Sequence, residues 1–287
     1  MNRRNFLKST AGFGLATMAG FGGAFEASAA PYNIDNMGKI KKVGVQLYTV
    51  RDHMAKSVEK TVAQVAGFGY KEVEFAGYFD HSAKNIRKIL DDNGLTSPSV
   101  HVQLSDIQKD NMHQTIENAN IIGHKYVTMA GFGNSERETL DQFKGHAEHF
   151  NMVGEACKAA GVQLGYHNHE FEFDALDGVE PYDLFLELDK DILTMEMDLF
   201  WAIKAGRNPL TYFDKHPGRF HMCHVKDMAA GETMVDVGAG NIDFAKIFAA
   251  SEKAGLKHYF VEHDRPKSSL DSIRFSCETL LNMKVDI

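Results

Sequence analysis

After residue 40 the chain alternates between short apolar runs rich in β-forming residues and longer stretches with helical spacing. In the stretch 57–69, for example, Val58, Val62, Val65 and Phe68 recur three or four positions apart, which is typical of an amphipathic helix. The runs with the strand pattern cover residues 43–50, 71–77, 97–103, 126–131, 162–168, 193–198, 219–227 and 258–264. Each run is followed by enough chain for a loop and a helix, so the pattern predicts a strand–helix unit repeated eight times.

Glycines mark the ends of several predicted helices. Gly94, Gly123, Gly161 and Gly255 each stand between a helical stretch and the next predicted strand, where glycine commonly ends a helix. An eightfold strand–helix alternation closes most simply into a (β/α)8 TIM barrel. The alternative, an open doubly wound sheet, usually carries a glycine-rich turn after its first strand, and LYTVRDHM at 47–54 has no glycine. We therefore predict an α/β fold of the TIM-barrel type.

The first 29 residues have a different character. Arg3 and Arg4 precede an apolar stretch rich in glycine and alanine at 11–25, and residues 27–29 are the small residues of a cleavage site. This pattern predicts a twin-arginine signal peptide over 1–29, with an uncleaved membrane anchor as the alternative. We therefore expect export by the twin-arginine machinery, a periplasmic location and a single catalytic domain over residues 30–287.

Charge and cysteine content exclude some classes of function. The formal net charge is -8, and removal of residues 1–29 takes away three basic residues and one acidic residue, which leaves -10. Such a chain lacks the basic excess of a nucleic-acid-binding domain. Cys157, Cys223 and Cys277 are an odd number of cysteines, which argues against a disulfide framework and predicts buried thiols.

Side chains that can bind metal are concentrated where the predicted strands end, at the rim that carries the active site of TIM barrels. The polar residues there are Glu74, His101, Gln103, His167, Asn168, His169, Glu170, Glu196, Asp198, His224, Lys226, Asp227, Glu262, His263 and Asp264. Because side chains alternate along a strand, Asp198, His224 and Glu262 can face the barrel axis together. Burying such charges without compensation is costly, and a divalent cation would compensate them.

The segment GYHNHEFEF at 165–173 offers a fourth ligand. His167 holds the last regular position of its strand, and Glu170 follows three residues later, so either side chain could reach the ion. Mixed oxygen and nitrogen ligands suit Mn²⁺, Co²⁺, Fe²⁺, Zn²⁺ or Mg²⁺, and the sequence does not choose among them. We predict one divalent metal ion bound by Asp198, His224, Glu262 and one of these two residues.

A set of motifs in fixed order resembles a known family. The motifs are GVQLYTVRD (44–52), GYKEVEFAG (69–77), GVQLGYHNHEFEF (161–173), MEMDLFWAIKAG (195–206), HVKDM (224–228), VGAGNIDF (237–244) and VEHD (261–264). Over residues 42–283 the chain resembles the sugar phosphate isomerase/epimerase superfamily, whose fold is the xylose isomerase-like TIM barrel. Its YHNH segment is most similar to the inosose dehydratase-like branch and to periplasmic members that act on keto-sugars.

The resemblance implies a ligand set and a chemistry. Epimerases of this superfamily hold a metal ion with Glu, Asp, His and Glu from strands five to eight, and Asp198, His224 and Glu262 match the last three. Strand five departs from the pattern, because His167 stands where epimerases usually have Glu. Members remove a proton next to a carbonyl, so the resemblance implies a metal-dependent sugar isomerase or epimerase. A lyase or dehydratase and a non-catalytic sugar-binding barrel are the alternatives.

Roles for the remaining rim residues follow from this chemistry. The expected catalytic residues, for proton transfer or substrate orientation, are Glu262, His169, His101 and Lys226. The expected substrate contacts are Glu74, Asn168 and Trp201. We further expect Glu172 to be a solvated loop residue and Glu196 to pair with a lysine in the barrel. Export favours a non-phosphorylated sugar or keto-sugar as substrate, and a homodimer remains open.

Overall fold

The computed structural model describes Met37, Gly38, Ile40 and residues 42–286; the predicted signal peptide at 1–29 lies outside the described residues. Within the described part the predicted barrel is confirmed, with eight parallel strands in a closed ring. The strands are β1 (Gly44–Gln46), β2 (Glu72–Ala76), β3 (Thr96–Val102), β4 (Tyr126–Met129), β5 (Gln163–His167), β6 (Leu193–Asp198), β7 (Phe220–Val225) and β8 (His258–Val261). Strand β8 pairs with both β7 and β1, which closes the ring.

Helices follow the barrel strands along the chain. They are α1 (Arg51–Met54), α2 (Val58–Gly67), α3 (Ala83–Asp92), α4 (Met112–Ile122), α5 (Leu140–Ala159), α6 (Pro181–Leu186), α7 (Leu199–Lys204), α8 (Pro209–Lys215), α9 (Phe244–Phe248), α10 (Ser251–Ala254) and α11 (Ser269–Asn282). Polar side chains begin them: Ser57 accepts from the N–H of Lys60 at the start of α2, and Thr139 caps α5. The glycines that follow α4 and α10, Gly123 and Gly255, have φ of 92° and 86°, as predicted.

Strand β6 shows how the sequence directs carboxylates into the barrel. All six of its residues are buried, as expected for a parallel strand covered on both faces. Glu196 and Asp198 contact side chains of other barrel strands, so they lie on the inner face. The register places Asp198 beside His224 of β7 and Glu196 beside His167 of β5. The barrel interior therefore carries polar groups in layers near its C-terminal rim.

Two short antiparallel pairings were not predicted. Met37–Gly38 pairs with Val285–Asp286, and Asp227–Ala229 forms a hairpin with Thr233–Val235 directly after β7. The Asp227 carboxylate accepts backbone hydrogen bonds from four residues, namely Met228, Gly238, Gly240 and Ile242. This carboxylate therefore organises the loop between β7 and α9.

The three cysteines, Cys157, Cys223 and Cys277, are free and buried, as predicted. Among the described residues, no helix is both long enough and apolar enough to span a membrane.

Candidate active site

Four side chains from neighbouring strands meet at the C-terminal rim of the barrel. They are His167, Asp198, His224 and Glu262, each 5% exposed or less, and each offers a ligand atom within 4.8 Å of the others. Asp198 Oδ2 lies 3.2 Å from His167 Nε2 and 3.7 Å from His224 Nδ1, and Glu262 Oε2 lies 2.7 Å from His224 Nδ1. We call these four residues the rim group.

Asp198 is held by the start of α7 and by Asn168. Its Oδ1 accepts the N–H of Trp201 at 3.1 Å, which caps the helix and leaves Oδ2 for the rim group. The Asn168 amide accepts the N–H of Asp198 at 3.0 Å and donates to its carbonyl at 3.3 Å. Asn168 is fully buried and links the end of β5 to β6, and its expected contact with a substrate stays a prediction.

A second layer of carboxylates and histidines lies behind His224. Its Nε2 is 2.8 Å from Glu74 Oε2, which also accepts the Gln46 amide at 2.8 Å. His101 Nε2 lies 2.6 Å from Glu196 Oε2. Glu74 is fully buried and its expected contact with a substrate stays a prediction, whereas Glu196 pairs with a histidine where a lysine was expected. The sequence pattern predicts which strand carries each of these residues, but it does not predict how far inside the barrel each side chain lies.

Lys226 is the cation of the rim. It is 2% exposed, and its Nζ lies 2.9 Å from Asp198 Oδ2, 2.7 Å from Glu262 Oε2 and 2.9 Å from Asp264 Oδ1. Burial opposes the charge, but the three carboxylates outweigh it and hold the pKa of Lys226 well above its usual value. The lysine therefore stays protonated and partly neutralises the acidic rim.

Burial and neighbouring charges shift the pKa values of the other buried groups in different directions. Burial works against the charge of Glu262, yet Lys226 and His224 hold its pKa well below the usual range. Burial also opposes the charge of His224, but Glu196 and Glu262 raise its pKa well above 6.5. Burial, followed by the charge of Glu74, raises the pKa of Glu196. Without a bound ion, Lys226 and His224 thus offset the charge of the neighbouring carboxylates.

His169 lies next to the rim group, with its ring 5.0 Å from that of His167. Its Nδ1 is buried and has no hydrogen-bond partner among the described residues. Its backbone N–H donates to Glu172 Oε2 at 2.8 Å, and Tyr166 OH donates to Glu172 Oε1 at 2.6 Å. Glu172 is fully buried, so the solvated position expected for it is wrong, and burial raises the pKa of Glu172 to about 7. Its position between Phe171 and Phe173 is the signal that could have shown this.

Glu170 lies apart from the rim group. Its carboxylate pairs with Lys204 Nζ at 2.5 Å, and its side chain is 45% exposed. The chain turns after β5, so this side chain points toward α7, whereas His167 is still on the strand and faces Asp198. Of the two strand-five candidates, the structure brings His167 to the rim group and leaves Glu170 outside it.

The rim group suits a divalent cation. His224 Nδ1 lies 2.7 Å from Glu262 Oε2, and ligand atoms of Asp198 and His167 lie within 4.8 Å of both, so the four atoms are close enough to share one ion. Two imidazole nitrogens and two carboxylate oxygens are a donor set for Zn²⁺, Mn²⁺ or Co²⁺. The Nε2 of His224 already meets a carboxylate, as a metal-bound histidine usually does through its second nitrogen. The residues therefore fit the ion expected from the sequence.

Comparisons with known proteins agree with this fold. The sequence profile of the xylose isomerase-like TIM barrel matches residues 62–279. An inosose dehydratase of Lacticaseibacillus casei is 21% identical over 251 residues, which cover 74% of this chain and 84% of that protein.

Solved structures superpose over most of the barrel. A sugar phosphate isomerase/epimerase from Parabacteroides distasonis has a TM-score of 0.73 and 25% identity over 86% of this chain and 99% of its own. A xylose isomerase-like TIM barrel protein from Mycobacterium smegmatis was solved with magnesium. It has a TM-score of 0.62 and 16% identity over 84% of this chain and 95% of its own. The relatives thus include sugar isomerases, epimerases and dehydratases. With the profile matching most of its length, the chain belongs to the xylose isomerase-like TIM barrel family.

Proposed function

We propose that this protein is a divalent-metal-dependent sugar isomerase or epimerase that removes a proton next to the carbonyl of a non-phosphorylated sugar or keto-sugar. The observation that carries the proposal is the convergence of the rim group, four buried donors from four adjacent strands, beside the protonated Lys226. The names of the relatives support a sugar as the substrate class.

In this proposal the ion is held by His167, Asp198, His224 and Glu262. When bound there, a divalent ion supplies Lewis acidity toward a carbonyl oxygen and a neighbouring hydroxyl. Glu74 orients the His224 ring from behind through the hydrogen bond to Nε2.

Proton transfer falls to side chains beside the rim group. His169 Nδ1 has no hydrogen-bond partner among the described residues and lies next to His167, so in this proposal it accepts the carbon-bound proton. Lys226 carries a fixed positive charge that stabilises negative charge on the substrate oxygen as the proton leaves. His101, which is bonded to Glu196, orients substrate hydroxyls from the β3 side. Return of the proton to a different carbon or face completes isomerisation or epimerisation.

Dehydration is the second candidate, favoured by the similarity to inosose dehydratase. It begins with the same proton removal, and a hydroxyl on the next carbon then leaves with the electron pair and a proton as water. The two reactions differ only in whether a leaving group lies beside the carbanion. The alternative in which the protein is not an enzyme is a barrel that binds a sugar without converting it.

We also propose that residues 1–29 direct export through the twin-arginine pathway and that the catalytic domain works in the periplasm. Support comes from the Arg3–Arg4 pair, the apolar stretch that follows and the small residues at 27–29. Sugar phosphates are scarce outside the cytoplasm, which is why the proposed substrate is not phosphorylated.

The proposal is tested in two steps. Metal content is measured in the purified protein and in the variants His167→Ala and Glu170→Ala, a matched pair from the same strand end. We expect the first variant to lose the ion and the second to retain it; equal content in both would contradict the assigned ligand. The metal-loaded protein is then incubated in D₂O with a panel of ketoses and 3-keto-glycosides and followed by NMR.

Deuterium in a carbon position next to the carbonyl supports isomerisation or epimerisation, and loss of water marks the dehydratase. If the metal-loaded protein shows neither exchange nor product with any sugar of the panel, the result would contradict an enzyme and favour the non-catalytic sugar-binding barrel.

A further inference from the structure

Glu172 is a fully buried carboxylate next to the candidate site, in the short helical turn Phe171–Phe173 that follows β5. Its Oε1 accepts the hydroxyl of Tyr166 at 2.6 Å, and its Oε2 accepts the backbone N–H of His169 at 2.8 Å. Tyr166 belongs to β5, and His169 is the proposed proton acceptor. The Glu172 carboxylate therefore ties the backbone of the proton acceptor to a strand of the barrel.

Two tyrosines from neighbouring elements lie near Glu172. Tyr166 of β5 and Tyr182 of α6 are both fully buried. Burial, followed by the charge of Glu172, raises the pKa of Tyr166 well above its usual value, and burial does the same for Tyr182. Both hydroxyls therefore stay protonated near neutral pH, whereas burial raises the pKa of Glu172 to about 7. Glu172 is thus the member of this group that changes charge near neutral pH.

Two arginines lie near the same turn. Arg137 precedes α5, and its positive charge opposes the effect of burial on Glu172. Arg207 donates to the carbonyl of Phe173 at 3.1 Å, and its charge is paired with Glu180 at 2.7 Å. Arg137 is therefore the cation that favours the ionised form of Glu172.

The two hydrogen bonds of Glu172 suit its ionised form. A carboxylate accepts at both oxygens, so it satisfies the Tyr166 hydroxyl and the His169 N–H together. With a proton on Oε1, the Tyr166 hydroxyl loses its acceptor; with a proton on Oε2, the His169 N–H loses its acceptor. Leaving a buried donor unpaired costs free energy, so protonation weakens the link between β5 and the turn.

We propose that Glu172 is a positioning residue for proton transfer. Its ionised form holds His169 beside the rim group, and protonation of Glu172 loosens that hold, so that the proposed reaction slows in mild acid. The effect on the reaction rests on the proposed function, whereas the effect on the position of His169 does not.

Trp201 gives a readout that does not require activity. It is the sole tryptophan of the chain, and its ring centroid lies 5.8 Å from that of His169, so a displacement of His169 should change the Trp201 emission. Emission of the metal-loaded full chain is recorded on both sides of pH 7. We expect a change with its midpoint near pH 7 in the wild type, and no such change in Glu172→Gln, whose side chain cannot ionise.

Tyr166→Phe is the second variant. It keeps Glu172 but removes a hydroxyl that favours the ionised form, so the midpoint should move to higher pH. Glu72→Gln is the matched control, because Glu72 is also a buried carboxylate but pairs with His258, away from the rim group. It should keep the wild-type midpoint. The positioning role is overturned by a wild-type emission that is constant around pH 7, by a midpoint that survives Glu172→Gln, or by one that Tyr166→Phe fails to raise.

Deuterium exchange with the sugar panel separates the role of Glu172 from the proposed function. Where a sugar exchanges, the rate should fall through the same midpoint as the emission while metal content stays constant. A rate that is constant across that midpoint would overturn the link to proton transfer. An emission midpoint without exchange or product would support the hold on His169 and contradict the proposed function.

Discussion

His224 and Glu74 face each other across the barrel interior, with His224 Nε2 2.8 Å from Glu74 Oε2 and both side chains fully buried. The contact joins β7 to β2, which are not neighbours in the ring. It fixes the plane of the imidazole and leaves Nδ1 directed at Glu262 and Asp198. The carboxylate therefore determines which nitrogen of His224 is offered to an ion.

Replacing Glu74 by Gln should weaken metal binding without removing a ligand. The amide keeps the size of the side chain but lacks the charge that makes the imidazole a stronger ligand, so we expect the metal dissociation constant to rise about tenfold to hundredfold. Competition with a chelator of known affinity measures it. Glu72→Gln is the matched control, because Glu72 lies two residues earlier on β2 and pairs with His258, away from the rim group. Equal weakening in both variants would contradict the role of Glu74.

Replacing Lys226 by Met should destabilise the metal-free protein. Three carboxylates, those of Asp198, Glu262 and Asp264, would lose their shared counter-charge in a buried place. Removing one partner of a buried ion pair typically costs about 3–5 kcal/mol, and a divalent ion at the rim group should recover part of this loss. Urea unfolding with chelator and with excess Mn²⁺ measures both effects.

The control for this variant is Lys253→Met. Lys253 also pairs with a carboxylate, Asp214 at 2.5 Å, but the two side chains are 58% and 63% exposed. Exposed ion pairs contribute about 1 kcal/mol or less. A loss in Lys226→Met no greater than in Lys253→Met would show that the buried lysine is not needed for charge balance.

The barrel itself could be predicted from the sequence because strand and helix periodicities differ and repeat. The rim residues His167, Asp198, His224 and Glu262 were predictable because a TIM barrel brings strand ends together. Local pattern could not decide between His167 and Glu170, since that choice depends on where β5 ends and on Lys204, which lies 34 positions further along the chain from Glu170.

The burial of single polar side chains and their hydrogen-bond partners could not be predicted either. The sequence predicts rim or loop positions for Glu74, Asn168 and Glu172, and all three are fully buried. Their partners, such as His224 for Glu74 and Tyr166 for Glu172, are fixed by tertiary packing. An isolated polar residue in a strand carries no signal that distinguishes a substrate contact from a buried hydrogen bond.

Acid should destabilise the fold through His124, which is distant in sequence from the rim residues. It is 2% exposed, its Nδ1–H donates to Ser97 O at 2.7 Å, and its Nε2 accepts from Tyr78 OH at 3.0 Å. Burial lowers the pKa of His124 to about 4, against about 6.5 in an unfolded chain. Between pH 4 and 6.5 the unfolded state therefore binds a proton at His124 more readily than the folded state does.

The stabilising contribution of neutral His124 is therefore complete above about pH 6.5 and is lost as the pH falls toward 4, a change of about 3 kcal/mol. His124→Asn keeps a donor for Ser97 and does not titrate, so its free energy of unfolding should depend less on pH in this window. Urea unfolding from pH 4 to 7 tests this, with the exposed His113→Gln as a matched variant. If the free energy of unfolding falls equally with pH in the wild type and in His124→Asn, His124 has no such effect.

The close approach of Gly131 to His169 should make this glycine sensitive to substitution. Gly131 has φ of 137°, and a Cβ added there would lie 2.9 Å from His169 Cε1. Gly131→Ala therefore combines backbone strain with displacement of the ring, and we expect a loss of about 1–3 kcal/mol in the free energy of unfolding. Gly145→Ala is the matched control, because Gly145 lies within α5 with open space around it. That change should stabilise the fold by about 0.5–1 kcal/mol.

Because His169 is the proposed proton acceptor, deuterium exchange should fall in Gly131→Ala while metal content stays at the wild-type level. Unchanged exchange in a destabilised variant would mean that the ring position does not matter for proton transfer.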